Sequence, residues 1–181
     1  MSGECLEMFS DLSKMISDEK SLTGNSVIGI LKRYSSKISV FDMMDFTSQV
    51  IEENRYVQEG YRQDSQKSYI EAFLLRAKDI SNDVDDYPDC VNRTDLEKAI
   101  STLKSNHAKY GTDSRTSLIF YIASLYSTFV LKEPIHPVGT LFPGSLRVVN
   151  ENGRFSCPVR DANIDTPNAV CNICLAGQLD F

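Results

Sequence analysis

Ser114-Arg-Thr-Ser-Leu-Ile-Phe-Tyr-Ile-Ala-Ser-Leu-Tyr-Ser-Thr-Phe-Val-Leu-Lys132 is the stretch that decides the fold. Leu118, Ile119, Tyr121, Ile122, Leu125, Tyr126, Phe129 and Val130 place apolar side chains on nearly every face of a helix. A surface helix needs only one apolar stripe, so a helix that is apolar all round has to be surrounded by others. The apolar run is shorter than the roughly 20 residues a bilayer crossing takes. Ser124, Ser127 and Thr128 dilute it further. It therefore predicts the central helix of a mainly α domain. Pro134 closes it, because proline disfavours helix at the preceding residue.

Upstream, helical spacing recurs. Cys5, Phe9, Leu12 and Ile16 fall at i, i+4, i+7 and i+11, one stripe on which Cys5 reads as a small buried hydrophobe. Val27, Ile30, Leu31 and Tyr34 begin a second helix after the Thr-Gly-Asn turn at 23–25. Ser39-Val-Phe-Asp42 is a capping signal for a third, carrying Val40, Met43, Met44, Val50 and Ile51, in which Met43 and Met44 are expected to pack in the core rather than to form a soft-metal or partner surface. A fourth is expected to begin near Ser65 and to turn Tyr69, Ile70, Phe73, Leu74, Ala77 and Ile80 toward the core. Thr94-Asp-Leu-Glu97 is a capping box for a fifth, which carries Leu96, Ile100, Leu103 and His107. The central helix is the sixth. Between the fourth and fifth, Asn82-Asp-Val-Asp-Asp-Tyr-Pro-Asp89 reads as a solvated acidic linker. It lacks the glycine bend and closing glutamate of a calcium loop.

Downstream of residue 133 the character changes. Pro134, Pro137, Pro143, Pro158 and Pro167 are five of the six prolines. Leu146-Arg-Val-Val149 and Arg154-Phe-Ser156 flank Asn152-Gly153, a strong hairpin signal whose second strand delivers Cys157. The expected organisation is a helical domain of about six helices over residues 1–133. A hairpin-and-loop appendage over 134–181 packs on the same core.

The chain has 181 residues and a net charge of −6, with a pI near 4.9. That balance opposes phosphate binding, which needs a basic patch. Residues 93–115 hold only a surplus of two basic groups, the composition of a solvated helix face, so no nucleic-acid partner is expected. Neither a leader nor a membrane span is recognisable, and a cytosolic protein is expected. In a reducing compartment clustered cysteines favour a metal over disulfides, and five cysteines cannot all pair within one chain.

The chemistry is concentrated in Cys157-x13-Cys171-x2-Cys174 and, shortly upstream, His136 between Pro134 and Pro137. Zinc takes four such ligands in a tetrahedron, and two cysteines separated by two residues can bind it from one tight turn. The expected metal ligands are His136, Cys157, Cys171 and Cys174. The fourth position is the open one, since Cys90, His107 or a water can take the place of His136. Zinc is the expected metal, with an iron–sulfur cluster as the alternative. His107 lies on an apolar helical stripe and reads as a partly buried, hydrogen-bonded histidine.

Known catalytic signatures are missing. In Cys157-Pro-Val159 a valine stands where a zinc deaminase has its glutamate, and Pro167 is four residues before Cys171. HExxH, a Walker loop, a Rossmann glycine fingerprint and GxSxG are absent. A thioredoxin-like pair would need a βαβ setting, and none is visible.

His136-Pro-Val-Gly139, Phe142-Pro-Gly144, Asn152-Gly153, Cys157-Pro-Val159, Pro167 and Cys171-x-x-Cys174 together resemble the C-terminal signature of an archaeal family of unknown function. The resemblance covers roughly residues 134–175. It implies an archaeal cytosolic protein in which His136 and the three cysteines act as one unit, and it implies no activity. Two functions follow. In one, a closed Cys3His zinc site shapes the tail into a docking surface for a protein partner. In the other, three cysteines hold a zinc with an open position and His136 serves as acid or base, with Arg147, Arg160 and Asp161 as candidate substrate contacts.

Overall fold

A computed structural model describes residues 3–110, 115–166 and 169–180. The expected helix start at Ser114, and Pro167, lie outside these. The helices run in the order α1 (Glu4–Asp18), α2 (Gly24–Ser35), α3 (Val40–Glu53), α4 (Glu59–Tyr69), α5 (Arg76–Asn82), α6 (Arg93–Tyr110), α7 (Arg115–Leu125) and α8 (Arg160–Asn163). A π-helical segment, Ile70–Leu75, welds α4 to α5, and a second, Tyr126–Leu131, prolongs α7. With α8 a single turn, the described helices form six rods, and the chain is mainly α as expected. None is long and apolar enough to cross a membrane.

α7 is the hub. Leu118, Ile119, Tyr121, Ile122, Ala123, Ser124 and Leu125 are all buried, and α1, α2, α3, α5 and the first π segment pack around it. Aromatic edges lock the centre. Phe9 lies 5.3 Å from Tyr121, and Phe73 meets Phe120 at 4.5 Å in a T-shaped contact. Burying side chains of this size contributes about 1.5–3 kcal/mol each. The π segment ends at Lys132 in the left-handed conformation (φ 54°), and the Glu133 amide donates back to the Ser127 carbonyl at 2.9 Å. Helix ends commonly satisfy their orphan carbonyls in this way.

Capping follows the sequence in part. At Ser39 the backbone amide donates to Asp42 Oδ2 at 2.7 Å, and the Asp42 amide donates to Ser39 Oγ at 3.2 Å. α6, by contrast, is capped two residues ahead of the expected Thr94 and begins at Arg93. Asn92 Oδ1 accepts the Asp95 amide at 3.1 Å, because asparagine caps as well as threonine and stands closer to the turn.

Two further expectations are corrected. α4 begins at Glu59, and Gln58 to Tyr69 carry no buried side chain, so apolar periodicity could not reveal this turn. α3 buries Phe46 and Val50 and half-buries Met43, whereas Val40, Phe41, Met44 and Ile51 are exposed. Its core stripe is narrower than its apolar content. The acidic segment is a largely exposed linker, as expected, and is also hydrogen-bonded in place. Asp83 accepts from Tyr126 Oη at 2.5 Å and Tyr87 Oη at 2.8 Å, and the Asn25 side chain clasps the Tyr87 amide and Asp86.

The C-terminal part holds two small sheets. β1 (Leu141–Phe142) and β2 (Leu146–Arg147) pair antiparallel. β3 (Val149–Glu151) and β4 (Arg154–Cys157) form the hairpin on Asn152-Gly153, where both residues have positive φ (54° and 85°). A two-residue turn of this kind matches the strand twist. β5 (Gly177–Gln178) then adds to β4 in parallel.

Candidate functional site

Strand pairing brings two of the cysteines together. Gly177 pairs with Ser156 and Gln178 with Cys157, and the Leu179 amide donates to the Cys157 carbonyl at 3.0 Å. The chain leaving Cys174 therefore returns beside Cys157 within four residues. Cys171 opens a single 3₁₀ turn, closed by the Cys174 amide donating to the Cys171 carbonyl at 3.3 Å. Val170 and Ile173 anchor this turn in the main core, and the Asn106 amide group grips the Ala169 carbonyl at 3.0 Å. Cys157 belongs to the small second core of Val148 and Ala176, and Cys174 touches both cores.

Cys157 and Cys171 each feel the Cys174 sulfur. Burial raises Cys157 above the ordinary thiol range, and the backbone amides of Val159 and Arg160 face its sulfur and oppose the rise. Cys171 is pushed up to about 11, first by burial, then by Cys174 and Cys157. The Arg160 guanidinium pulls both sulfurs the other way. Cys174 Sγ accepts the Ile135 amide at 3.4 Å. An N–H aimed at sulfur stabilises a thiolate more than a neutral thiol, so the backbone around these residues is prepared for charge on sulfur.

Ile135 leads directly into His136. The imidazole stands edge-on to Phe142 at 5.5 Å, Phe73 at 5.6 Å and Tyr69 at 5.9 Å. Burial, and then the positive charge of Arg76, push its pKa down to about 4. It is thus a neutral imidazole at neutral pH, the form that ligates metals. Its Nε2 is buried without a hydrogen-bond partner. An orphaned ring nitrogen inside an aromatic box is costly and calls for a partner. Arg76 is itself held by Ser127 Oγ at 2.6 Å and Glu133 at 2.7 Å.

Thus Cys171 lies within electrostatic reach of Cys157 and Cys174, Cys174 abuts the backbone next to His136, and Tyr69 meets the His136 ring and feels Cys171. Among the described residues no group of three or more His, Cys, Asp or Glu side chains is drawn close enough to hold a metal ion. The donor set, three thiols and one neutral imidazole with a partnerless nitrogen, nonetheless suits zinc chemically. Of the other candidates for the fourth position, Cys90 lines a cleft together with Cys174, and His107 stands elsewhere in the fold. Cys90 is exposed on a bridge with Thr23. His107 is buried between Phe9 and Tyr121, and its Nδ1 lacks the hydrogen bond expected of it.

Sequence reasoning missed the roles of Arg76 and Arg160. Arg160 stands three residues after Cys157, its Nε buried without a partner and its Nη1 paired with Asp161 at 2.9 Å. The spacing Cys-Pro-Val-Arg was visible, but only the turn geometry shows that both the Arg160 amide and its guanidinium serve the sulfur. Arg76 gave no local signal at all, because it meets His136 only through tertiary packing.

Residues 23–179 match the model of the DUF2115 family, described as uncharacterized proteins conserved in archaea. The chain belongs to this family. Two proteins of Methanothermobacter thermautotrophicus, both named UPF0305 protein, are similar to it. One is 33% identical, over 87% of this chain and 97% of the relative; the other is 30% identical, over 85% and 95%. A UPF0305 protein of Methanococcus maripaludis strain C5 is 26% identical over 83% of this chain and 93% of its own length. No solved structure matches the chain. The DUF2115 match runs from just before α2 through the cysteine segment.

Proposed function

We propose that this DUF2115 protein is a cytosolic, zinc-stabilised interaction protein, in which Cys157, Cys171, Cys174 and His136 close on one metal ion and fasten the C-terminal lobe to the helical body. What supports this reading is an orphaned, neutral imidazole nitrogen one residue after the Ile135 amide that donates to Cys174 Sγ, together with the Cys157 and Cys171 thiols, each of which feels Cys174. Thiols left unmetallated in such burial would remain protonated and would gain little from that donor. On binding, the three cysteines would release their protons and the shell would carry one net negative charge, which Arg160 would offset. Four protein ligands leave no position for substrate, which favours a structural site over a catalytic one. A protein partner is supported by α3, which turns Val40, Phe41, Met44 and Ile51 to water.

The test is metal analysis and a visible spectrum of anaerobically purified protein. A colourless chain with one zinc supports the proposal, and a broad visible absorption reassigns the same cysteines to an iron–sulfur cluster. Metal-free protein with all thiols reduced and its fold intact overturns it. His136→Ala distinguishes the shells: retained zinc with unchanged thermal stability removes His136 from the ligand set.

A further inference from the structure

A cleft of about 450 Å³ opens between the first turns of α6, the π-helical end of α7 and the Cys171–Cys174 turn. We propose that it binds a small organic monoanion with an apolar body, such as an aryl or alkyl carboxylate. The cleft shares Cys174 with the thiol site but needs no metal there.

Size comes first. The volume lies within the range of small-molecule sites, which are mostly apolar with a few polar groups that fix orientation. Val91, Ala99, Phe129 and Ile173 supply the apolar lining, each no more than 9% exposed. They are firmly packed, so the wall is formed before any ligand arrives.

Charge comes second. Two ammonium groups, Lys98 and Lys132, line the cleft against one carboxylate, Asp95. Among the described residues Lys98 has no ion-pair partner. Lys132 meets only Asp89, at 3.3 Å, and that carboxylate is 77% exposed. A surface pair of this kind is weak and yields to a better-placed anion. The cleft also faces the start of α6, an 18-residue helix whose positive end favours negative charge.

An unpartnered hydroxyl comes third. Thr128 lines the cleft at 6% exposure, while its Oγ1 is turned inward, buried and without a hydrogen bond. Buried hydroxyls are almost always satisfied. Threonine in a helix splits between two χ1 rotamers, so the hydroxyl can exchange places with its methyl and meet a ligand oxygen. The residue sits in a π-helical segment, a feature frequent at functional sites.

The experiment is an amide-resolved NMR titration of the full, metal-replete chain with 4-phenylbutanoate, using 4-phenylbutan-1-ol and 4-phenylbutan-1-amine as controls of the same shape. Shifts confined to residues 90–102, 128–132 and 172–175, with a Kd of about 1 mM or better, are expected for a ligand of this size. The alcohol and the amine should bind about tenfold more weakly, a difference the lost charge contact accounts for. Lys98→Gln should weaken the carboxylate about fivefold, and the near-isosteric Thr128→Val about threefold, with the remaining spectrum unchanged. Equal binding of the three probes, shifts centred on α3, failure to saturate, or indifference to both substitutions would overturn the proposal.

Discussion

The helical body and the C-terminal lobe use different means to stay folded. Around α7 the body gathers Phe9, Phe46, Phe73, Leu103 and Tyr121 at 2% exposure or less. The lobe's own cluster consists of Val148, Cys157 and Ala176, backed by half-buried Phe142, Phe155 and Val159. Two- and three-stranded sheets this short are marginal in water unless they pack on something larger. The body can be stable through burial alone, whereas the lobe has to be docked or cross-linked. The four proposed ligands straddle that boundary, with His136 and Cys171 reaching the body and Cys157 rooted in the lobe.

The comparison can be broken at several strengths. Phe9→Ala removes a fully buried ring from the α1–α7 contact and should cost about 3–5 kcal/mol in urea unfolding, taking both regions with it. A lobe that survives loss of the body would refute its dependence. Arg160→Gln should weaken zinc about tenfold in competition with a chelator, as loss of an outer-shell partner does, while unfolding of the helices hardly moves. An unchanged affinity would make Arg160 a bystander.

Asp83→Asn sharpens the other side, since Asp83 belongs to the body. Burial alone would raise its carboxyl; hydrogen bonds from the Tyr126 hydroxyl, the Asp85 amide and the Tyr87 hydroxyl, with the nearby Lys32 charge, outweigh that and hold it below the usual carboxylate range. A depressed carboxylate contributes its full stability above its unfolded value near 3.9 and loses it as pH falls through the folded value. The substitution should therefore cost about 1 kcal/mol at pH 7 and make acid unfolding shallower below about pH 4. Equal acid sensitivity in both proteins would remove Asp83 from the account. Least of all, Phe41→Ser should change stability by no more than about 0.5 kcal/mol, because the ring is 77% exposed.

The same contrast explains what the sequence made legible. Helices that bury a stripe, such as α1, or every face, such as α7, announce themselves by period. The α4 turn from Glu59 did not, because nothing on it is buried. The Asn152-Gly153 hairpin was visible from turn chemistry, but the pairing of β5 with β4 depends on a non-local parallel contact that no local pattern encodes. Cysteine spacing singled out the candidate ligands. The aromatic box around His136, the Arg160 contact and the cleft beside Cys174 arise only where separate elements meet.

The most direct measurement is hydrogen exchange across the whole chain, metal-replete and after chelation. The account predicts that amides of β3, β4 and β5 lose protection about tenfold or more on chelation, while those of α1 and α7 keep theirs. Protection unchanged everywhere, or lost equally in body and lobe, would contradict it.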